Sequence, residues 1–138
     1  MDDVALNKAE VIERCVRRVR AVHAGDPRNL SDDLTRQDSI ILNLLRACEA
    51  SIDLAMHLVR LDRLGIPQQS REAFAMLAQA GALPADLAQT LQKMVGFRNV
   101  AVHDYASLNL DIVGSIIARQ LDDLLRFASI AARRGAVR

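Results

Sequence analysis

Residues 41–59 read ILNLLRACEASIDLAMHLV, and the spacing of their apolar positions decides the fold class. Ile41, Leu44, Leu45, Cys48, Ile52, Ala55 and Val59 recur at steps of three and four, the period of one helix face. The pattern predicts a helix from about Asp33 to Leu64. Gly65-Ile66-Pro67 supplies the usual glycine-then-proline exit.

Every other long segment has the same period. A first helix is expected from about Val4 to His23, with Leu6, Val11, Cys15, Val19 and Val22 near one face, ended by Gly25-Asp26-Pro27. A short third helix follows, with Ser70 as its cap, Glu72 in the first turn and Gly81 beyond its end. Pro84 suits the first position of a fourth helix running through Leu87, Leu91, Met94 and Val95 towards Tyr105. Asp111 is read as the cap of a fifth, which carries Ile112, Ile116, Leu121, Leu124 and Phe127 and ends at Arg133-Arg134. Four long helices with short connections, plus one short helix, predict an all-α up-down bundle.

Composition agrees. A chain of 138 residues with 51% hydrophobic content fits one domain, residues 1–138, with a core that needs neither disulfides nor metal. Aromatics make up only 3% and tryptophan is absent, which suits packed helices better than a β-sandwich. No apolar run has the length of a membrane span. The start, Met1-Asp2-Asp3, lacks the basic-then-apolar layout of a secretory signal, and Cys15 and Cys48 have no paired spacing. A cytoplasmic protein with buried free thiols is expected. Net charge is +1, so charge alone makes no case for nucleic acid.

One segment is not explained by a helical core. Arg98-Asn99-Val100-Ala101-Val102-His103-Asp104-Tyr105 sets a guanidinium, an imidazole and the only tyrosine of the chain within eight residues. Metal-free cleavage of RNA needs such groups. A base takes the proton of a ribose 2′-hydroxyl, a cation stabilises the phosphorane, and an acid protonates the leaving 5′-oxygen. Imidazole serves as base or acid, and arginine offers a preorganised fork to phosphate oxygens. Asn99 is placed to orient the imidazole or a phosphate oxygen. Arg98 and His103 are five residues apart, about 140° around an ideal helix, so one intact helix does not close both on a small ligand unless it frays near His103. A second copy facing the first would complete the site, which points to a homodimer. Tyr105 is expected to eclipse Arg98 on a continued helix and to face the same cleft.

The longer stretch Lys93-Met94-Val95-Gly96-Phe97-Arg98-Asn99-Val100-Ala101-Val102-His103-Asp104-Tyr105 closely resembles the signature of HepT-like proteins of the HEPN superfamily, with its Arg-x4-6-His motif. Ser70-Arg71-Glu72-Ala73-Phe74 resembles the short third helix of that family, and the helix order agrees. The resemblance implies a HEPN-like bundle that dimerises and acts as a metal-independent endoribonuclease toxin. It implies Arg98 and His103 as catalytic. It also implies a cognate antitoxin, an MntA-like minimal nucleotidyltransferase that adds AMP to Tyr105. The alternative within this resemblance is a non-catalytic binding module that scaffolds, or is modified by, that partner.

Other groupings read more blandly. Glu49, Asp53 and His57 recur at steps of four; a polar stripe accounts for them as well as a metal site does, and no metal or other cofactor is expected. Arg14, Arg17, Arg18 and Arg20 form either an RNA-contacting patch or a solvated face paired with Glu10 and Glu13, the second being favoured. Phe74, Phe97 and Phe127 sit in apolar settings, which leaves no aromatic platform for stacking bases.

Overall fold

In a computed structural model, which describes residues 2–136, the stripe on residues 41–59 lies inside the longest helix of the chain. The elements run α1 (Asp3–His23), α2 (Arg28–Ser31), α3 (Leu34–Leu61), α4 (Ser70–Gln79), α5 (Ala85–His103), a 3₁₀ turn (Tyr105–Ser107), α6 (Leu110–Arg119) and α7 (Leu121–Ala136). Three of the four long helices expected from the sequence are α1, α3 and α5, and the fourth spans α6 and α7.

Contacts across the helices fix their directions. Asp2 meets His57, Lys8 meets Asp53, and Arg36 donates to the carbonyl of Val22 at 2.8 Å, so α1 and α3 run antiparallel. Arg20 meets Asp122 at 2.8 Å, while a side chain at Gly135 would meet Ala5 at 2.8 Å, so α7 also runs against α1. Tyr105, just past α5, reaches Asp38 near the start of α3, so these two helices are antiparallel as well. α3 touches α1, α4, α5 and α7 and is the centre of the bundle. Its Ile40, Ile41, Leu44, Leu54 and Leu58 are buried with Ile12 and Val16 of α1, Leu87 and Leu91 of α5, and Leu121 and Phe127 of α7. The Phe74 and Phe127 rings meet edge to face, centroids 5.6 Å apart.

Several boundaries differ from the sequence reading for local reasons. α3 ends at Leu61 rather than Leu64. Arg63 takes the left-handed conformation (φ 53°), and the Leu64 amide donates back to the Val59 carbonyl at 3.0 Å, so the helix is closed before Gly65 is reached. Gly81 does close α4 in that manner, with φ 77° and the Ala82 amide bonded to the Leu77 carbonyl. Ser70 is the first helical residue of α4 and Gln69 its cap; the Glu72 carboxylate accepts from the Gln68 amide at 2.9 Å and serves the helix start instead. Pro84 occupies the cap of α5. The expected fifth helix is two helices broken at Gln120, and the cap of α6 is Asn109, whose side chain accepts from the Asp111 amide at 2.8 Å. The apolar positions explain the break. Ile116 and Leu121 are both buried but five residues apart, which one straight helix would turn about 140° away from each other. Ile112, one of the apolar residues of that helix, is exposed. In α1 the buried line runs through Ala5, Ala9, Ile12, Val16 and Val19, while Leu6 and Val11 are only half-buried. α2 was not expected at all; it buries a single residue, Leu30, under the bend between α1 and α3. No helix among the described residues is long and apolar enough to cross a membrane.

Candidate active site

α5 carries the motif, and its apolar spacing dictates how each motif residue is presented. Leu87, Leu91, Met94, Val95, Phe97 and Ala101 are buried. Arg98 lies on that inner side, four residues beyond Met94 and three before Ala101, so it is drawn partly into the protein. Its Nε is buried, and nothing among the described residues accepts a hydrogen bond from it. Nη1 donates to Asn99 Oδ1 at 2.9 Å. Asn99 therefore holds the guanidinium, the group expected to meet a phosphate, rather than the imidazole, one of the two groups it was read as orienting. Arg98 also lies near α3, where its positive charge opposes the rise of the Cys48 thiol. Burial, followed by the charge of Glu49, still pushes that thiol up to about 12. Cys15 is raised mainly by burial too, and both free cysteines are buried core residues, as the sequence implied.

His103 is the last residue of α5 and is exposed. The helix does not fray before it, so the offset of about 140° between Arg98 and His103 is retained within one chain. Arg98 is half-buried against the bundle while His103 stands in solvent at the helix end. An apolar groove beside α5, formed with α6, is lined by Phe97, Val100, Leu108, Ile112 and Ile116, and not by Arg98, His103 or Tyr105.

Tyr105 departs from expectation. The helix stops at His103, Asp104 breaks its geometry (φ −153°, ψ 63°), and Tyr105 begins a 3₁₀ turn. The expected eclipse with Arg98 is therefore absent. The turn is pinned by Ser107, whose hydroxyl donates to Asp104 Oδ2 at 2.6 Å and whose amide donates to the Asp104 carbonyl at 3.0 Å. The Tyr105 hydroxyl instead donates to Asp38 Oδ1 at 2.8 Å, with the residue 45% exposed. Loss of solvent at the phenol, then the bond to Asp38 and its negative charge, push the phenol up to about 12. Asp38 is the member of this constellation that sequence reasoning missed. It lies 67 residues away on another helix, and an exposed aspartate in a helix carries no signal of its own.

The remaining groupings dissolve into separate contacts. Asp53 pairs with Lys8 at 3.1 Å and His57 with Asp2 at 2.8 Å, and no three donors converge as a metal site among the described residues. In the arginine cluster, Arg20 pairs with Asp122 of α7 rather than with Glu10 or Glu13, and Arg14, Arg17 and Arg18 are exposed. Phe74, Phe97 and Phe127 are all buried, as expected.

Residues 12–130, which include every motif residue, match the family model described as ribonuclease HepT-like. The chain belongs to the ribonuclease HepT-like family. Among its curated relatives is the mRNA nuclease HepT of Shewanella oneidensis, 48% identical over 130 residues, an alignment covering 94% of this chain and 97% of the relative. A solved structure of a tri-AMPylated Shewanella oneidensis HEPN toxin in complex with MNT antitoxin superposes with a TM-score of 0.88 at 48% identity, covering 94% of this chain and 97% of that one. A second, a toxin–antitoxin complex with AMP-PNP, gives a TM-score of 0.87 at 47% identity over 93% of this chain and 96% of that one. The family and fold implied by the motif are thus the family and fold of this chain.

Proposed function

We propose that this chain is a metal-independent endoribonuclease toxin that works as a homodimer in the cytoplasm and is silenced when an MntA-like nucleotidyltransferase antitoxin transfers AMP to Tyr105. The observation that carries the reading is the state of Arg98, a half-buried guanidinium whose buried Nε has no acceptor among the described residues, five residues before an exposed imidazole. A buried donor without a partner costs free energy, so such a group is a preformed seat for an anion. Kinship with an mRNA nuclease, and with a toxin solved together with its nucleotidyltransferase, supplies the reaction and the partner.

In this mechanism the ribose 2′-oxygen attacks the adjacent phosphorus as its proton passes to an imidazole. The guanidinium holds the phosphorane oxygens through paired hydrogen bonds. The bond to the 5′-oxygen breaks, that oxygen gains a proton, and the products are a 2′,3′-cyclic phosphate and a 5′-hydroxyl. Each chain supplies an arginine and a histidine on different sides of α5, so two copies complete one cleft. Mixing the inactive variants Arg98→Ala and His103→Ala tests this. Mixed dimers regain cleavage if the cleft is shared, whereas mixtures as inactive as their parents would exclude a shared site.

A further inference from the structure

We propose that Asp38 is the general base for nucleotidyl transfer onto Tyr105; the proposal rests on the reading of Tyr105 as the AMP acceptor and adds the group that takes its proton. A phenol is a weak nucleophile while it keeps its proton, and its attack on the α-phosphorus of a nucleoside triphosphate requires somewhere for that proton to go. The structure provides one acceptor in contact with the reacting oxygen. Asp38 Oδ1 lies 2.8 Å from Tyr105 Oη, with the phenol donating. Asp38 joins no ion pair among the described residues; the nearby Arg36 is engaged with Asp33.

The surroundings hold the pair ready. Asp38 is fixed on α3, and Tyr105 is fixed by the Asp104–Ser107 bonds of the 3₁₀ turn, so neither side must be ordered for the contact to form. Tyr105 is nonetheless 45% exposed, so an incoming nucleotide on a partner enzyme has access to it. Loss of solvent at the phenol, apart from Asp38 itself, opposes release of its proton to water, which favours a local acceptor.

The step balances as follows. Tyr105 Oη forms a bond to the α-phosphorus of Mg-ATP held by the partner, the bond from that phosphorus to the bridging oxygen breaks, and pyrophosphate leaves with the electron pair. The phenolic proton moves to the Asp38 carboxylate and from there to water. Afterwards the oxygen has no proton to donate, and its phosphodiester is an anion beside a carboxylate. The product is therefore pushed away from α3, which clears the adduct from the base.

Single-turnover modification of wild type and Asp38→Asn by a purified MntA-like nucleotidyltransferase, with Mg-ATP and intact-mass detection, tests the proposal. Asparagine keeps the shape and an oxygen that accepts from the phenol, but is no base. Transfer to the Asn variant should slow by about 10²-fold, the usual scale of general-base catalysis, with unchanged affinity for the partner. Because the chain has one tyrosine, growth on fluorotyrosine replaces Tyr105 alone with a more acidic phenol. That phenol needs the base less, so the penalty of Asp38→Asn should shrink. An Asn variant modified at the wild-type rate would overturn the proposal and assign the base to the partner. An equal penalty with both phenols would also overturn it, leaving Asp38 as a residue that only positions the ring. If wild type itself gains no AMP on Tyr105, the acceptor reading fails, and the base role falls with it.

Discussion

Replacing Arg98 by methionine should stabilise the fold while abolishing cleavage. The guanidinium Nε is buried without an acceptor among the described residues, and a buried unsatisfied donor costs about 1–3 kcal/mol. Methionine fills a similar space along the inner side of α5 and has no donor to leave unpaired. The variant forfeits the 2.9 Å bond to Asn99, whose net contribution is about 1 kcal/mol at most, because half-buried Asn99 Oδ1 can turn to water. The balance is a gain of roughly 1 kcal/mol, or about 3–5 °C in Tm for a chain of this size. Thermal unfolding followed by circular dichroism or calorimetry, beside an RNA cleavage assay, measures both quantities. A variant that melts several degrees below wild type would refute the reasoning, because the guanidinium would then be satisfied within the fold and not waiting for phosphate.

Other outcomes follow from single contacts. Phe127→Ala removes a fully buried ring packed edge to face on Phe74, and chemical denaturation should report a loss of about 3–5 kcal/mol. Burial acts to raise the Asp2 carboxyl, but its bonds to His57 and the Ala5 amide, with the His57 charge, outweigh this and hold it below its ordinary 3.8. The stability this gives is whole above about 3.8 and is lost as the pH falls from there through the lower folded value. Asp2→Asn should therefore flatten the decline of Tm in that acid window and lower Tm at neutral pH. The single tyrosine gives a clean ultraviolet titration: its phenolate should form near pH 12 in wild type and at lower pH in Asp38→Asn.

The helices were legible because apolar residues at steps of three and four report burial directly, as the residue 41–59 stripe does. What escaped was set by contacts between distant residues or by choices among equivalent local signals. Asn109 and Asp111 are both good caps, and only the backbone decides that Asn109 serves. Gln120 is no helix breaker, and the split there comes from two apolar faces out of phase. In the candidate site, residue types and spacing single out Arg98, Asn99, His103 and Tyr105, and the intact α5 keeps the offset between Arg98 and His103. The helix end at His103 was not legible. No glycine or proline marks it, and the turn is held by Asp104 and Ser107, residues that a helix also tolerates. Nor was Asp38, whose contact with Tyr105 arises from the antiparallel packing of α3 on α5.

The central claim is that this motif cuts RNA without a metal. Incubation of the purified protein with RNA in excess EDTA, wild type beside His103→Ala, tests it most directly. His103 is exposed, so its removal leaves the fold and Tm unchanged. Wild type is expected to cleave and leave 2′,3′-cyclic phosphate ends, with the His103→Ala rate lower by about 10²-fold or more. Cleavage at the wild-type rate by His103→Ala, or activity that vanishes with the chelator, would contradict the account.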